Sequence, residues 1–465
     1  MLKAVSVVSG GLLVLVSGCG MEGDGDDPVT ESNAAVVAGL APAGNDFGVA
    51  ETFHTSGTID FTNPFFQPLG TNPRSCATCH SPDQGWTDTA DANKKLFKDT
   101  DGLAPMFNLV DQGTRPDADI STKHARKETF RDNTLALAVT RFTRTINPAT
   151  FQFTVAPEDP SGFSDSTRVL NFRRPTATAN ESKVSSILNT SGPVQDIPAT
   201  LASLMNGAAG LHEQRDVVAN PVPTDQRNAG RDFMFNVFFA QISDNQAGRL
   251  DAGGALGGPA NLAAVPFTLG MNDPMATPST FNPKVFNIYD AWEVFAVNSP
   301  HGDCEQEAKA AIFRGQEVFN FNQFDISNVP GLTDLSGTDV TIHGTCSTCH
   351  NTPNVGGHSV IRMMDIGTAD EPNCSEGLPI LQVTRISDPT QVRRICDMGR
   401  GGNGVWTDLA KFRVPPLRGL AARAPYFHDG QAKNIKAAIK YHESRFNIDL
   451  SHGKRKDLEA FLGAL

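Results

Sequence analysis

Two pentapeptides constrain this chain more than any other feature: Cys76-Ala77-Thr78-Cys79-His80 and Cys346-Ser347-Thr348-Cys349-His350. Each places two thiols around a pair of residues and a histidine directly after the second, the spacing that attaches haem c. On an opening helical turn the thiols meet the two vinyl groups of the porphyrin, and the adjacent imidazole reaches the iron. The thioethers hold the macrocycle and the imidazole sets the electronics of the metal. One copy would also suit half of a zinc site or a redox disulfide, but two copies in one chain point to two covalently bound haem c groups. Cys76, Cys79, Cys346 and Cys349 are then the anchors, and His80 and His350 the proximal ligands.

The N-terminus says where such a chain works. Lys3 precedes an apolar run from Ala4 to Val16, which ends in Val16-Ser17-Gly18-Cys19, and this resembles the lipobox of bacterial lipoproteins. The run is too short to span a bilayer. Residues 1–18 therefore read as a lipoprotein signal peptide and 19–48 as a lipid-anchored, flexible tether rich in Gly, Asp, Ala and Asn. Gly20 after the cysteine resembles lipoproteins sorted to an outer rather than an inner membrane. The expected location is the periplasm, an oxidising compartment. Cys374 and Cys396 bracket a polar loop and are expected to pair there, with Cys304 free or taking one of their places. A net charge of −12 argues against nucleic acid as a partner.

The remaining pattern suggests a mainly α chain of two cytochrome c-like haem domains with long loops, 49–295 and 296–465. Ala308, Ala311, Ile312, Gly315, Val318 and Phe319 recur at helical spacing before the second motif. At the chain end Leu458, Phe461, Leu462 and Leu465 give a second apolar face, which can close against the first. Forty-two Gly and thirty Pro demand turn-rich connections, and 247–283 reads as loop. Trp86, Trp292 and Trp406 read first as core residues.

Ala424-Pro425-Tyr426-Phe427-His428-Asp429-Gly430, preceded by Phe412-Arg413-Val414-Pro415-Pro416-Leu417-Arg418, resembles the C-terminal signature of the bacterial dihaem cytochrome c peroxidase and MauG-like family. Arg314-Gly315-Gln316-Glu317-Val318-Phe319 and Phe172-Arg173-Arg174-Pro175-Thr176 resemble it too. The resemblance covers most of 50–465 and implies an oxidoreductase. The C-terminal haem would accept electrons from a small donor of cytochrome c or cupredoxin type, and the N-terminal haem would reduce hydrogen peroxide or, less favoured, dioxygen. A non-catalytic electron-transfer cytochrome and a MauG-like oxidation of a protein or polymer are the alternatives. The family also implies a calcium ion between domains, for which no acidic loop stands out, and a homodimer stays open.

In that family the far-side ligand of the second haem lies on the helix after the Tyr-Phe-His-Asp-Gly turn, which here points to His442. Ile435, Ala438, Ile439 and His442 share one helical face, so His442 also continues an apolar stripe. Met398 is the runner-up, followed by Tyr441 and the pair Met363 and Met364, while His428 is implied as a supporting donor near that haem. The far side of the first haem is either open or filled by His124 or His212. Peroxide cleavage needs a distal base. The family's Trp-Asp-Gly-Arg stretch is replaced here by Asn189-Thr190-Ser191-Gly192, and the place of its Glu falls near Ala202, which leaves Asp196 and Glu213 as candidate bases.

Overall fold

The computed structural model describes residues 40–186, 197–298 and 303–465. The signal peptide, the lipobox, most of the tether and Asp196 lie outside the described residues. No helix among the described residues is long and apolar enough to cross a membrane.

The helices that were expected to close the C-terminal half do so. Cys304–Phe321 opens on Asp303, whose side chain accepts from the Gln306 amide, and His452–Gly463 opens on Ser451 in the same way through Lys454. Ile312 and Phe319 of the first pack with Leu458, Phe461 and Leu462 of the second, in a core completed by Tyr289 and Trp292. The helices approach most closely at Gly315, where a Cβ would fall inside the envelope of the Asp457 carbonyl oxygen.

The mainly α expectation holds only in part, because helix accounts for 32% of the chain and strand for 16%. Val237–Asp244, buried through its first six residues, pairs antiparallel with Gly48–His54 at the centre of a four-stranded sheet. Phe153–Glu158 alternates buried and exposed residues at its start and pairs with Ile380–Arg385, which pairs in turn with Val392–Ile395. This second sheet joins strands from opposite sides of residue 295. Thr140–Thr145 and Arg168–Arg173 form a hairpin-like pair that leads into Arg173-Arg174-Pro175.

Two expected loop segments carry structure. The strand Ala43–Asn45 lies inside the stretch expected to be tether; Asn45 bonds Gln241 at 3.0 Å and Phe47 packs on the C-terminal core, which gives this segment a partner. Within 247–283, Gly248–Arg249 forms a short strand and Pro259–Ala264 a short helix.

The cores divide around the two motifs. Phe65, Trp86, Leu201, Met205 and Phe233 pack beside Cys76, and Phe97, Met106, Phe107 and Phe130 beside Cys79. Cys346 lies against the Tyr289–Phe461 core, and Cys349 against Met364 and Phe446.

Candidate functional site

Both motifs open on the same local device. The Ser75 amide donates to Thr78 Oγ1 at 3.0 Å and the Thr345 amide donates to Thr348 Oγ1 at 3.0 Å, each half of a reciprocal capping box. The turn it starts, 3-10 over Cys76–Thr78 and α over Cys346–Cys349, carries both thiols of each motif. Burial pushes all four thiols up to about 12, so they are neutral at pH 7.

The second motif stands at the wall of a cavity of about 350 Å³. Cys346, Cys349 and His350 line it, and so does His442; Phe319, Ile326, Phe412, Leu417 and Ile439 supply apolar walls. His350 Nδ1 donates to the Gly356 carbonyl at 2.6 Å, and His442 Nδ1 donates to the Ala438 carbonyl at 2.9 Å. A carbonyl can only accept, so each ring keeps its Nε2 lone pair free, the tautomer a metal-ligating histidine needs. Burial, with His442 adding to it, pushes His350 down to about 4, and burial also lowers His442. Both imidazoles are therefore neutral at pH 7, the form that binds a metal.

A histidine that pattern reading missed braces this motif from behind. His358, 2% exposed, donates from Nδ1 to the Cys349 carbonyl at 2.8 Å. Its only sequence signal was its place eight residues beyond His350.

The rivals of His442 are placed differently. Met398 is packed among Ile146, Phe153 and Leu381 and is not at the cavity wall. Tyr441 turns its hydroxyl to the Ile366 carbonyl at 2.8 Å. Met364 reaches the cavity, whereas Met363 does not line it. His428 stacks on Phe412 at 4.4 Å and lines the cavity, with both ring nitrogens buried and without a hydrogen-bond partner.

The first motif sits in a different environment. His80 Nδ1 donates to the Trp86 carbonyl at 3.3 Å, and burial, with His212 among the smaller causes, pushes its pKa down to about 4. Arg74, 1% exposed, reaches Cys79 Sγ at 3.4 Å through one Nη and Asp111 at 2.6 Å through the other. Asp111 also accepts from His212 Nδ1 at 2.5 Å, which leaves His212 Nε2 unbonded. His212 thus joins the surroundings of the first motif, whereas His124 is exposed on the helix Lys123–Phe130. Glu213 accepts from the Leu69 and Gly70 amides through one carboxylate oxygen, which pins the segment that leads into the motif, and burial raises its pKa.

Cys374 and Cys396 form a disulfide, the pairing expected from the sequence, and Cys304 is also bonded rather than free. Cys396, His428 and Asp429 are the group of closely placed metal-ligating residues found among the described residues. With the sulfur committed to a disulfide, this is not the all-oxygen set that calcium takes. Four arginines complete the cavity wall: Arg173, paired to Asp397 at 2.5 Å, and Arg174, Arg413 and Arg423. Sequence reading quoted the first three only as parts of motifs, since arginine spacing carries no signature of its own.

No family model matches the chain, and no curated protein does. Among solved structures, a MauG-like protein associated with microbial copper homeostasis aligns over 64% of this chain and 76% of its own. The identity is 14% and the TM-score 0.28, a likeness too slight to carry an argument about fold or chemistry.

Proposed function

We propose that the protein is a dihaem c-type cytochrome oxidoreductase, of two haem domains, that accepts electrons at its C-terminal haem and reduces peroxide at its N-terminal haem. One observation supports this above the rest: Cys346, Cys349, His350 and His442 line a single cavity, and both imidazoles direct Nδ1 to a carbonyl and leave Nε2 free. Two thiols, two neutral imidazoles and apolar walls match what a covalently held, six-coordinate haem requires. Bound at the two motifs, haem would supply one-electron iron chemistry.

The chain's own residues do the rest. Gly356 and Ala438 orient the two imidazoles, His358 holds the Cys349 carbonyl, and the cavity walls exclude water. At the first motif, Asp111 orients His212 and Arg74 secures Asp111. Lipid anchoring on the periplasmic face and a small electron-donor protein belong to the same proposal. They rest on the N-terminal sequence and the family resemblance.

A relay without turnover is the second reading, favoured by the tie of one Glu213 carboxylate oxygen to two backbone amides, which restrains the candidate base near the first site. Peroxide added to the mixed-valence protein separates the two. An enzyme consumes peroxide and changes the spectrum of one haem; a relay does neither.

A further inference from the structure

We propose that Arg174, Arg413 and Arg423 form a buried wall that binds the two carboxylates of the haem at the second motif, positioning that haem and raising its reduction potential. This rests on the haem reading above.

Elsewhere buried guanidiniums have anionic or multiple partners: Arg74, though its Nε is unpartnered, donates to the Asp111 carboxylate. Arg418 donates to the Leu465, Asn354 and Gly258 carbonyls at 3.2, 3.1 and 3.0 Å, and Arg173 holds the Asp397 carboxylate through two bonds. At the cavity wall two arginines combine an unpartnered nitrogen with bonds to backbone carbonyls alone. Arg423 gives Nε to the Gly85 carbonyl at 3.0 Å, but its Nη2 is buried without a partner. Arg174 gives Nη2 to the Asp88 carbonyl and leaves Nε buried without one. Arg413, which donates to the Ser186 carbonyl at 2.8 Å, lies close enough to disfavour charge on Arg423.

The local acids do not balance this charge. Asp88 and Glu181 are the carboxyls facing the three guanidiniums, and burial pushes both up to about 7, Asp88 against Asn93 and Arg174 and Glu181 against Arg413 and Arg423. No guanidinium donates to the Asp88 carboxylate or to Glu181 Oε2, so neither acid forms a hydrogen-bonded pair with these arginines. Burial in turn pushes Arg174 and Arg423 down to about 10. Uncompensated buried charge is costly by several kcal/mol per ion. The remedy is an anion, and guanidinium forks match carboxylates best. The same cavity presents the haem-attaching thiols, and haem is a flat apolar ligand with two carboxylates at one edge. The wall also touches the first motif's surroundings, because Gly85 and Asp88 flank Trp86, whose carbonyl holds His80.

The test is spectroelectrochemistry on the matured holoprotein, after haem is counted by the pyridine haemochrome. Removing a buried cation favours the oxidised iron, so Arg423→Gln should shift the C-terminal haem's midpoint potential downward with both haems retained. Arg423→Lys should restore most of the shift. An unchanged potential in Arg423→Gln with two haems present overturns the proposal. If Arg423→Gln loses the second haem, Arg423→Lys must recover it, and failure to do so in a folded protein also overturns it. Absence of covalent haem from the wild type sinks the cofactor reading itself, a result distinct from either outcome.

Discussion

The two motif regions share a capping box, a short turn and a following histidine bonded to a carbonyl, yet differ in what faces them. The second opens on an apolar cavity with His442, whose Nδ1 is held by an uncharged carbonyl. The first is wrapped by a charged chain, Arg74 to Asp111 to His212. The contrast teaches that one chain can present the same pentapeptide twice and give it two environments, one apolar and one charged.

The largest expected effect breaks the shared part of that comparison. Cys349→Ala and Cys79→Ala should each abolish one thioether and lower covalent haem per chain, read by haem staining of a denaturing gel. Two full-strength haems in either variant would remove the motif reading. Next comes the charged chain at the first site. Asp111→Asn leaves Arg74 buried without its carboxylate, a change that typically costs about 3–5 kcal/mol, read as a fall in denaturation midpoint.

That variant also carries a pH signature. Burial alone would raise Asp111, but the His212 hydrogen bond and the Arg74 charge hold it below the usual carboxylate value. A depressed folded pKa gives stability that is present above the unfolded value and lost as pH falls through the folded one. Acid unfolding of the wild type should therefore be steeper than that of Asp111→Asn.

Packing gives a smaller contrast between the regions. Gly315→Ala pushes a methyl against the Asp457 backbone carbonyl, which cannot move aside, and should destabilise by about 1–3 kcal/mol. Gly230→Ala meets only the flexible end of Met205 and should be near neutral, because alanine gains up to about 1 kcal/mol of helix propensity. Thermal unfolding of the pair decides the point. The smallest effect is Tyr441→Phe, which removes the bond to the Ile366 carbonyl for about 0.5–1.5 kcal/mol. The holoprotein's visible spectrum should not change; a changed spectrum would make Tyr441, rather than His442, the ligand.

Much of the C-terminal half was legible in the sequence. Helical periodicity located the closing helix pair, and the stripe Ile435, Ala438, Ile439 brought His442 to a shared wall with His350. The sheets were less legible: Thr140–Thr145 and Arg168–Arg173 are rich in Arg and Thr, so their alternation carries little hydrophobic contrast. The surroundings of the first motif were illegible for another reason. Arg74, Asp111 and His212 meet across long stretches of chain, and no local period records such a meeting. The cavity arginines were visible as letters but not as a wall, because what sets Arg174 and Arg423 apart is a buried nitrogen without a partner, which no spacing records.

The central claim, two sulfur-bonded haems with His350 and His442 on one iron, is tested most directly by electron paramagnetic resonance of the oxidised, matured protein and its His442→Met variant. The account predicts a low-spin bis-imidazole signal in the wild type, replaced in the variant by a histidine–methionine signal with a higher midpoint potential. An identical spectrum in both proteins would contradict it.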